Sequence, residues 1–214
     1  MRNFEIKNES GRSMIEMLGV LAIIGVLSVG GIAGYSKAMM KYRINKTIEQ
    51  ITLIAGNVRT FFAPQRNYDG LDFNIIKKAK LVPDEMLELN EDGSIKDINN
   101  AFGSHVSMAG SPVNSKDLFI VLDDITTEAC IELVTQDWSS SSVYSVSILN
   151  DREGGLIYLS NYGLVQFDHT CSKGNNINVR GPSVLIRCDA TIPLNEATSF
   201  CGNSAKNSIT FAFY

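Results

Sequence analysis

The sequence predicts an α+β protein in which one long N-terminal α-helix packs on an antiparallel β-sheet. Three observations predict this fold. The apolar residues of the 214-residue chain include one long, nearly uncharged stretch close to the N-terminus. An amphipathic pattern follows this stretch directly and would prolong the same helix. Beyond residue 115, short runs typical of strands outnumber runs typical of helices. A sheet of such strands needs a layer that covers one face, and the long helix can supply it.

The composition disfavours several classes of protein. Hydrophobic residues make up 44% of the chain and charged residues 20%, which argues against wholesale disorder and against a polytopic membrane protein. The net charge of −4 disfavours a general nucleic-acid binder, which should be basic. Only 2 histidines are present, so there is little material for a histidine-rich metal site. We therefore expect no nucleic-acid partner, no metal and no cofactor.

The first element is the apolar stretch at residues 14–36, whose only charged side chain is that of Glu16. As a helix it would be about 35 Å long, whereas the hydrocarbon core of a bilayer is about 30 Å thick. It is therefore long enough to cross a membrane. Arg12 precedes it, and basic residues follow it at positions 37, 41, 43 and 46.

Three interpretations of this stretch compete. A buried core helix is disfavoured, because the segment is too long and too uncharged. A secretory signal peptide stays open, with a small-residue cleavage site near Gly31-Ile32-Ala33, although its apolar region would be at or beyond the usual length. A retained membrane helix is the third interpretation. The spacing Gly30-x-x-x-Gly34 would let such a helix approach other helices closely.

The same helix is predicted to continue beyond the membrane. Apolar residues recur there at steps of three and four, which gives one apolar stripe along a helix. Pro64 should end the helix, because a proline cannot continue it and restricts the residue before it. The helix should therefore run from about Ser13 to Phe62. The stripe consists of Ile44, Ile48, Ile51, Ala55, Val58 and Phe62.

The remaining residues form a predicted head with short elements. An acidic stretch at 88–99 has part of the spacing of a calcium loop, but Asn99 stands where the last ligand should be a glutamate, so an acidic turn is the better interpretation. Thr126 or Asp124 would cap the second helix of the head. Helices are predicted at 74–81 and 126–136, loops at 101–114 and 139–142, and strands at 117–122, 143–149, 156–159, 164–167, 184–187 and 208–213.

The start of the apolar stretch resembles the processing motif of type IV pilins. In residues 11–18, GRSMIEML, a short polar leader ends in a glycine and a long apolar helix follows. The resemblance implies that a prepilin peptidase cuts between Gly11 and Arg12 and then methylates the new amine of Arg12. Glu16 is the fifth residue counted from Arg12, as in that family, and would pair with the Arg12 amine of a neighbouring subunit during assembly. Arg12 itself departs from the family pattern, because an apolar residue is usual there.

This resemblance also implies a domain organisation. Residues 1–11 would be the leader peptide, and residues 12–62 the long helix of the type IV pilin fold. The first part of that helix, residues 13–36, would be the transmembrane and assembly half. Residues 63–214 would be the globular head.

All four cysteines lie in the C-terminal half of the chain, and their spacing alone leaves three pairings open. Disulfides are the default state of cysteines in an exported domain. The stretch 117–134 and the last fourteen residues resemble the type IVb pilins, in which two cysteines enclose a variable surface segment. That resemblance implies a bridge between Cys130 and Cys201. The remaining pair would be Cys171 and Cys188.

The function that the resemblance implies is that of a structural subunit, not an enzyme, and no nucleophile or phosphate-loop motif is present in the sequence. A type IVb-like pilin would polymerise with copies of itself into an extracellular pilus for adhesion, aggregation or conjugation. Its other partners would be the prepilin peptidase, the inner-membrane pilus assembly machinery and, before assembly, the bacterial inner membrane. A minor pilin or a type II secretion pseudopilin is an alternative within this class. A secreted binding protein with a cleaved signal peptide is an alternative of another class.

Overall fold

The computed structural model of the chain describes residues 14–110, 116–149, 176–177, 184–187, 191–202 and 207–213. The predicted fold class is confirmed, because a long N-terminal helix is followed by short helices and an antiparallel sheet. The helices are α1 (Met14–Phe62), α2 (Phe73–Lys78), α3 (Thr127–Val134) and α4 (Leu194–Phe200), with 3₁₀ turns at Asp84–Met86 and Ser139–Ser141. The strands are β1 (Leu87–Leu89), β2 (Ile95–Ile98), β3 (Val106–Gly110), β4 (Leu118–Ile125), β5 (Val143–Leu149), β6 (Asn176–Ile177), β7 (Val184–Arg187) and β8 (Asn207–Phe213).

The chain divides into two compact units, Met1–Tyr42 and Arg43–Tyr214. In the first unit the described residues all belong to α1, and this helix is long and apolar enough to cross a membrane. The side chains of residues 14–38 are exposed. The second unit takes in residues 43–62 of α1 together with the residues predicted for the head.

Within the second unit, α1 buries the predicted apolar stripe. Five of its six residues are buried, and Ile48 is half-buried because it lies at the edge of the stripe. Ile54, which the stripe did not include, is buried as well. The helix ends at Phe62, two residues before Pro64, as predicted. The buried members of the predicted stripe are Ile44, Ile51, Ala55, Val58 and Phe62.

Polar side chains of α1 also hold the helix to the head. The side-chain carbonyl of Gln50 accepts a hydrogen bond from the backbone N–H of Ala101 at 3.1 Å, and Asn57 Nδ2 donates to the carbonyl of Leu81 at 3.1 Å. Lys46 Nζ lies 2.9 Å from Glu85 Oε1. This contact lowers the pKa of the Glu85 carboxyl and raises the pKa of Lys46, because each charge stabilises the other. The residues around 81–101 are thereby fixed against one side of α1.

The main sheet has six strands in the order β3-β4-β8-β5-β7-β6, and every neighbouring pair in it is antiparallel. β1 and β2 form a separate two-stranded hairpin. The C-terminal strand β8 lies between β4 and β5, so the end of the chain is built into the middle of the sheet. A strand in this position must form hydrogen bonds on both sides before the sheet is complete.

The two faces of the central strands differ in chemistry, because successive side chains of a strand point to opposite faces. One face is apolar. On this face, Ile120 of β4 pairs in register with Phe211 of β8, and Ile148 of β5 points to the same side. The other face carries hydroxyl groups in register, as in the pair Ser147 and Thr210. Residues of both faces are buried.

Several local predictions need correction. The loop predicted at 101–114 is wrong over Val106–Gly110, which forms β3, because its small residues gain their strand conformation from pairing with β4 and not from an alternating pattern. The helices predicted at 74–81 and 126–136 are confirmed but are shorter, as α2 and α3. The strands β1, β2 and β6, and the helix α4, were not predicted. The strands predicted at 156–159 and 164–167 lie outside the described residues.

Gly110 should not tolerate a side chain. A Cβ atom at this position would lie 2.8 Å from Tyr68 Cβ and 3.2 Å from the carbonyl oxygen of Tyr68, and Tyr68 is itself buried. We expect Gly110→Ala to lower the free energy of unfolding by about 1–3 kcal/mol, as overpacking of a filled core does. Urea unfolding measures this change. Gly103→Ala does not serve as a control because of its positive φ, whereas Gly56→Ala, on an open helix face, should leave stability unchanged or raise it slightly.

Candidate functional site

The first candidate site is the N-terminal half of α1, where Glu16 lies in the first turn of the helix. Its side chain is exposed, as are those of the apolar residues around it. No other acidic residue occurs in α1 before Glu49. A carboxylate placed so close to the start of an apolar helix is suited to pair with a cation, because it would otherwise be costly to bury. Gly11 and Arg12, the other residues predicted for this site, lie outside the described residues.

The exposed surface of this half of α1 is continuous. The helix passes through residues 31–33, the alternative cleavage site, without a break. Cβ atoms built on Gly30 and Gly34 would meet no atom within 4 Å, so both positions present open backbone on the helix surface. Open glycines on an apolar helix allow another helix to approach closely. This half of α1 thus presents an apolar surface with one acidic group near its start.

The second candidate site is the region enclosed by a disulfide between Cys130 and Cys201, the pair that the resemblance implied. Cys130 lies in α3 and Cys201 directly after α4, and both are buried, with 0% and 2% of their surface exposed. The two cysteines that the bridge joins are separated by 71 positions in the sequence. The bridge therefore joins two helices that are distant in the chain but pack together.

Hydrogen bonds reinforce the same junction. Thr126 caps α3, since its side chain accepts from the N–H of Ala129, which confirms one of the two predicted caps. The buried Asn207 donates from Nδ2 to the carbonyl of Ile125 at 3.0 Å and accepts from the N–H of Gly202 at 2.9 Å. The hydroxyl of Thr127 donates to the carbonyl of Gly202. The end of β4, the start of α3, the end of α4 and the start of β8 thus meet at one point.

Trp138 holds α3 on the sheet. It is buried, its Nε1 donates to the carbonyl of Leu133 at 2.8 Å, and its ring centroid lies 4.6 Å from that of Phe211 in β8. Neither Trp138 nor Asn207 was predicted to have a role. Two signals in the sequence could have drawn attention to these residues. Trp138 is the one tryptophan of the chain and follows a predicted helix, and Asn207 stands at the start of the last strand.

The acidic stretch at 88–99, which has part of the spacing of a calcium loop, has the contacts of a surface hairpin. The acidic stretch forms the β1–β2 hairpin, in which Glu88 pairs with Lys96, and Asp92 accepts from the N–H and hydroxyl of Ser94. Within the described part of the chain, no group of three or more histidine, cysteine, aspartate or glutamate side chains is arranged to hold a metal ion. Cys171 and Cys188, the second predicted pair, lie outside the described residues.

Comparison with known proteins places these features in a family. Residues 41–212, well over half of the chain, match the family model described as PilS N terminal. Among solved structures, TcpA, a type IV pilin from Vibrio cholerae El Tor biotype, aligns with a TM-score of 0.52 and 14% identity over 81% of this chain and 99% of that chain. A type IV b pilin from Salmonella typhi aligns with a TM-score of 0.49 and 14% identity over 79% of this chain and 98% of that chain.

None of the curated proteins matches the sequence. At 14% identity, the structural similarity to TcpA shows a shared fold and nothing further. The match to the family model covers residues 41–212 and shows the family of the chain. The chain belongs to the PilS N-terminal family and has the type IV pilin fold.

Proposed function

We propose that this protein is a prepilin that is cut between Gly11 and Arg12, methylated on the new amine of Arg12, and polymerised into an extracellular type IVb-like pilus. The membership of the PilS N-terminal family and the type IV pilin fold support this proposal. The observation that carries it is the surface of α1: residues 14–38 are exposed and almost entirely apolar in the single chain. Such a surface needs lipid or other helices around it.

The mechanism follows from this surface. The inner membrane would hold the precursor by residues 13–36, with the leader 1–11 on the side from which the peptidase and the assembly machinery act. During assembly, the helix would leave lipid and bury the same surface among neighbouring copies, an exchange between two similarly apolar environments. The Glu16 carboxylate would pair with the methylated Arg12 amine of a neighbour. A charge pair in an apolar bundle fixes the register of the helices more than it adds net stability.

The disulfide supports export of the head. A bridge between Cys130 and Cys201 forms and persists in an oxidising compartment, as found outside the bacterial cytoplasm. The segment between these two cysteines would be displayed on the outside of the pilus. A minor pilin or a pseudopilin would use the same helix in the same way, so these alternatives share the processing step.

The mass and the N-terminal sequence of the mature protein test the processing step. From a host with the cognate peptidase, we expect a chain that begins at Arg12, is heavier by one methyl group, and is lighter by four hydrogens from two disulfides. Gly11→Val should abolish the cut, because a branched side chain replaces the glycine at the cleavage point. A mature chain that begins near Gly34 would instead show removal by signal peptidase and would leave no helix for assembly.

A further inference from the structure

The contact between α1 and the turn at residues 100–104 contains two buried polar groups without a hydrogen-bond partner. They are the hydroxyl of Thr47 on α1 and the side-chain amide nitrogen of Asn100, and neither bonds to any group in the described part of the chain. Only 0% of Thr47 and 5% of Asn100 is exposed. A buried polar group that has no partner costs free energy, so such groups in folded proteins are nearly always satisfied.

The hydroxyl of Thr47 differs from those of the other threonines in α1. Thr52 Oγ1 donates to the carbonyl of Ile48 at 2.9 Å, and Thr60 Oγ1 donates to the carbonyl of Gly56 at 2.7 Å. A bond to the carbonyl four residues earlier is the usual one for a threonine inside a helix. Thr47 does not form this bond, so its hydroxyl is available to a group outside the helix.

The orientation of the Asn100 amide is fixed by its oxygen. Oδ1 accepts hydrogen bonds from the backbone N–H of Phe102 at 2.8 Å and from that of Ser104 at 3.2 Å. Both partners are donors, so only the oxygen can occupy this position, and the nitrogen must take the other one. The Nδ2 hydrogens therefore need an acceptor that the turn itself does not supply.

One hydrogen bond brings both groups to the same contact. The side-chain carbonyl of Gln50 accepts from the backbone N–H of Ala101 at 3.1 Å. Thr47 lies three residues before Gln50 and thus on the same side of α1, one turn earlier. Asn100 directly precedes Ala101 in the chain. The unpartnered hydroxyl and the unpartnered amide therefore flank the same bond between α1 and the turn.

We propose that an ordered water molecule is bound between Thr47 and Asn100. Its oxygen accepts a hydrogen bond from Asn100 Nδ2, and it shares a second hydrogen bond with Thr47 Oγ1, which can donate or accept. The ligand is small because both groups are buried, and it is uncharged because both are neutral. Buried water has these properties and bonds about two to four polar groups.

This water site links α1 to the main sheet. The turn at 100–104 leads into β3, which is an outer strand of that sheet. The contact between the helix and this edge of the sheet is then partly direct, through Gln50, and partly mediated by water. The inference does not depend on the proposed function, because it concerns only the contact between α1 and the turn.

Nuclear magnetic resonance of the full chain in detergent micelles tests the site directly. We expect a nuclear Overhauser cross-peak between water and the side-chain amide protons of Asn100, because a bound water stays near these protons far longer than bulk water does. The side-chain amide of Asn45, which is exposed on α1, is the control in the same molecules and should show no such persistent contact. Absence of the cross-peak at Asn100 would overturn the proposal.

The variant Thr47→Val gives an independent test, because valine has nearly the same shape as threonine and lacks the hydroxyl. If water bonds Thr47, the variant removes one partner of the water, and the urea midpoint of unfolding should fall by about 0.5 M. An unchanged or higher midpoint would overturn the proposal, because removing a hydroxyl that bonds nothing relieves a buried unsatisfied group. A lower midpoint without the cross-peak would also overturn it, since the partner would then be a protein group.

Thr52→Val is the matched control for this variant. The hydroxyl of Thr52 is exposed and bonds within the helix, so its removal should change the midpoint little. A fall as large as that of Thr47→Val would assign the effect to the exchange of threonine for valine in a helix and would overturn the proposal.

Discussion

Replacing Glu16 with alanine is expected to abolish incorporation into the pilus while cleavage and membrane insertion continue. The variant would lose the proposed partner of the Arg12 amine, which would then be buried in the helix bundle as an uncompensated charge. Removing one member of a buried ion pair costs about 3–5 kcal/mol. Since about 1.4 kcal/mol corresponds to a tenfold change in an equilibrium constant, we expect the yield of assembled subunits to fall by more than about 100-fold.

Cleavage should continue in this variant, because the proposed cut lies between Gly11 and Arg12 and Glu16 is four residues beyond Arg12. Membrane insertion should become easier, because a carboxylate in an apolar helix has an insertion cost that alanine does not have, although this cost is smaller at the edge of the membrane than the roughly 2.5–3.5 kcal/mol at its centre. Sheared filaments are separated from cells by centrifugation, and the mature chain is quantified in both fractions. Accumulation of mature, methylated protein in the membrane fraction is the expected result. A wild-type amount of Glu16→Ala in the filament fraction would refute the assembly role of Glu16.

Two variants control for charge and for position. Glu16→Asp keeps the negative charge on a shorter side chain and should restore part of the yield, since the pair can still form at a longer distance. Glu49→Ala removes an exposed glutamate from the same helix, beyond the apolar segment. Its contact with Lys46 is 3.4 Å long and exposed, and pairs of this kind contribute little to stability because water and salt screen them. Near-normal filament yield is therefore expected for Glu49→Ala.

The parts of the fold that follow from local chemistry could be predicted from the sequence. The apolar stretch, the stripe from Ile44 to Phe62 and Pro64 define α1 almost to the residue, because helix periodicity and proline geometry act within a few positions. The strand at 143–149 and the cap at Thr126 follow for the same reason. The pairing of Cys130 with Cys201 came from resemblance alone, since spacing leaves the alternatives open.

The parts that depend on contacts between distant segments could not be predicted. β3 is a strand because Val106–Gly110 pairs with β4, and its glycine and small residues favour a loop when they are considered alone. The buried Asn207 joins residues that are far apart in the chain. Only the three-dimensional structure reveals that its side-chain amide donates to the carbonyl of Ile125 and accepts from the N–H of Gly202. Lys46 and Glu85 likewise meet only because the segment after α2 lies along α1.

The second large effect is expected from removal of the disulfide. Cys130→Ala/Cys201→Ala should lower the free energy of unfolding by about 4 kcal/mol, because the bridge closes a loop with a sequence separation of 71 and restricts the unfolded chain accordingly. Urea unfolding of the full chain in detergent measures the loss. Trp138 fluorescence is a suitable probe, since the indole is buried against Phe211 and unfolding exposes it to water.

The variant Cys171→Ala/Cys188→Ala is the matched comparison. If these residues pair as predicted, their loop has a sequence separation of only 17, and its loss should cost about 3 kcal/mol. We therefore expect the loss of the Cys130–Cys201 bridge to lower the free energy of unfolding more than the loss of the Cys171–Cys188 bridge. The reverse order would contradict the predicted pairing. A loss below about 1 kcal/mol for Cys130→Ala/Cys201→Ala would contradict the stabilising role of this bridge.

The variant without the Cys130–Cys201 bridge should still fold, because hydrogen bonds hold the same junction. Asn207 bonds both Ile125 and Gly202, and Thr127 bonds Gly202, so α3, α4 and β8 keep contacts that do not involve sulfur. Each such bond contributes only about 1 kcal/mol, and all of them break together when the junction opens. β8 lies between β4 and β5, so opening at this junction removes the central strand and with it the apolar face that contacts Trp138. The expected result is therefore a native fluorescence spectrum in buffer combined with a much earlier, still cooperative, unfolding transition in urea.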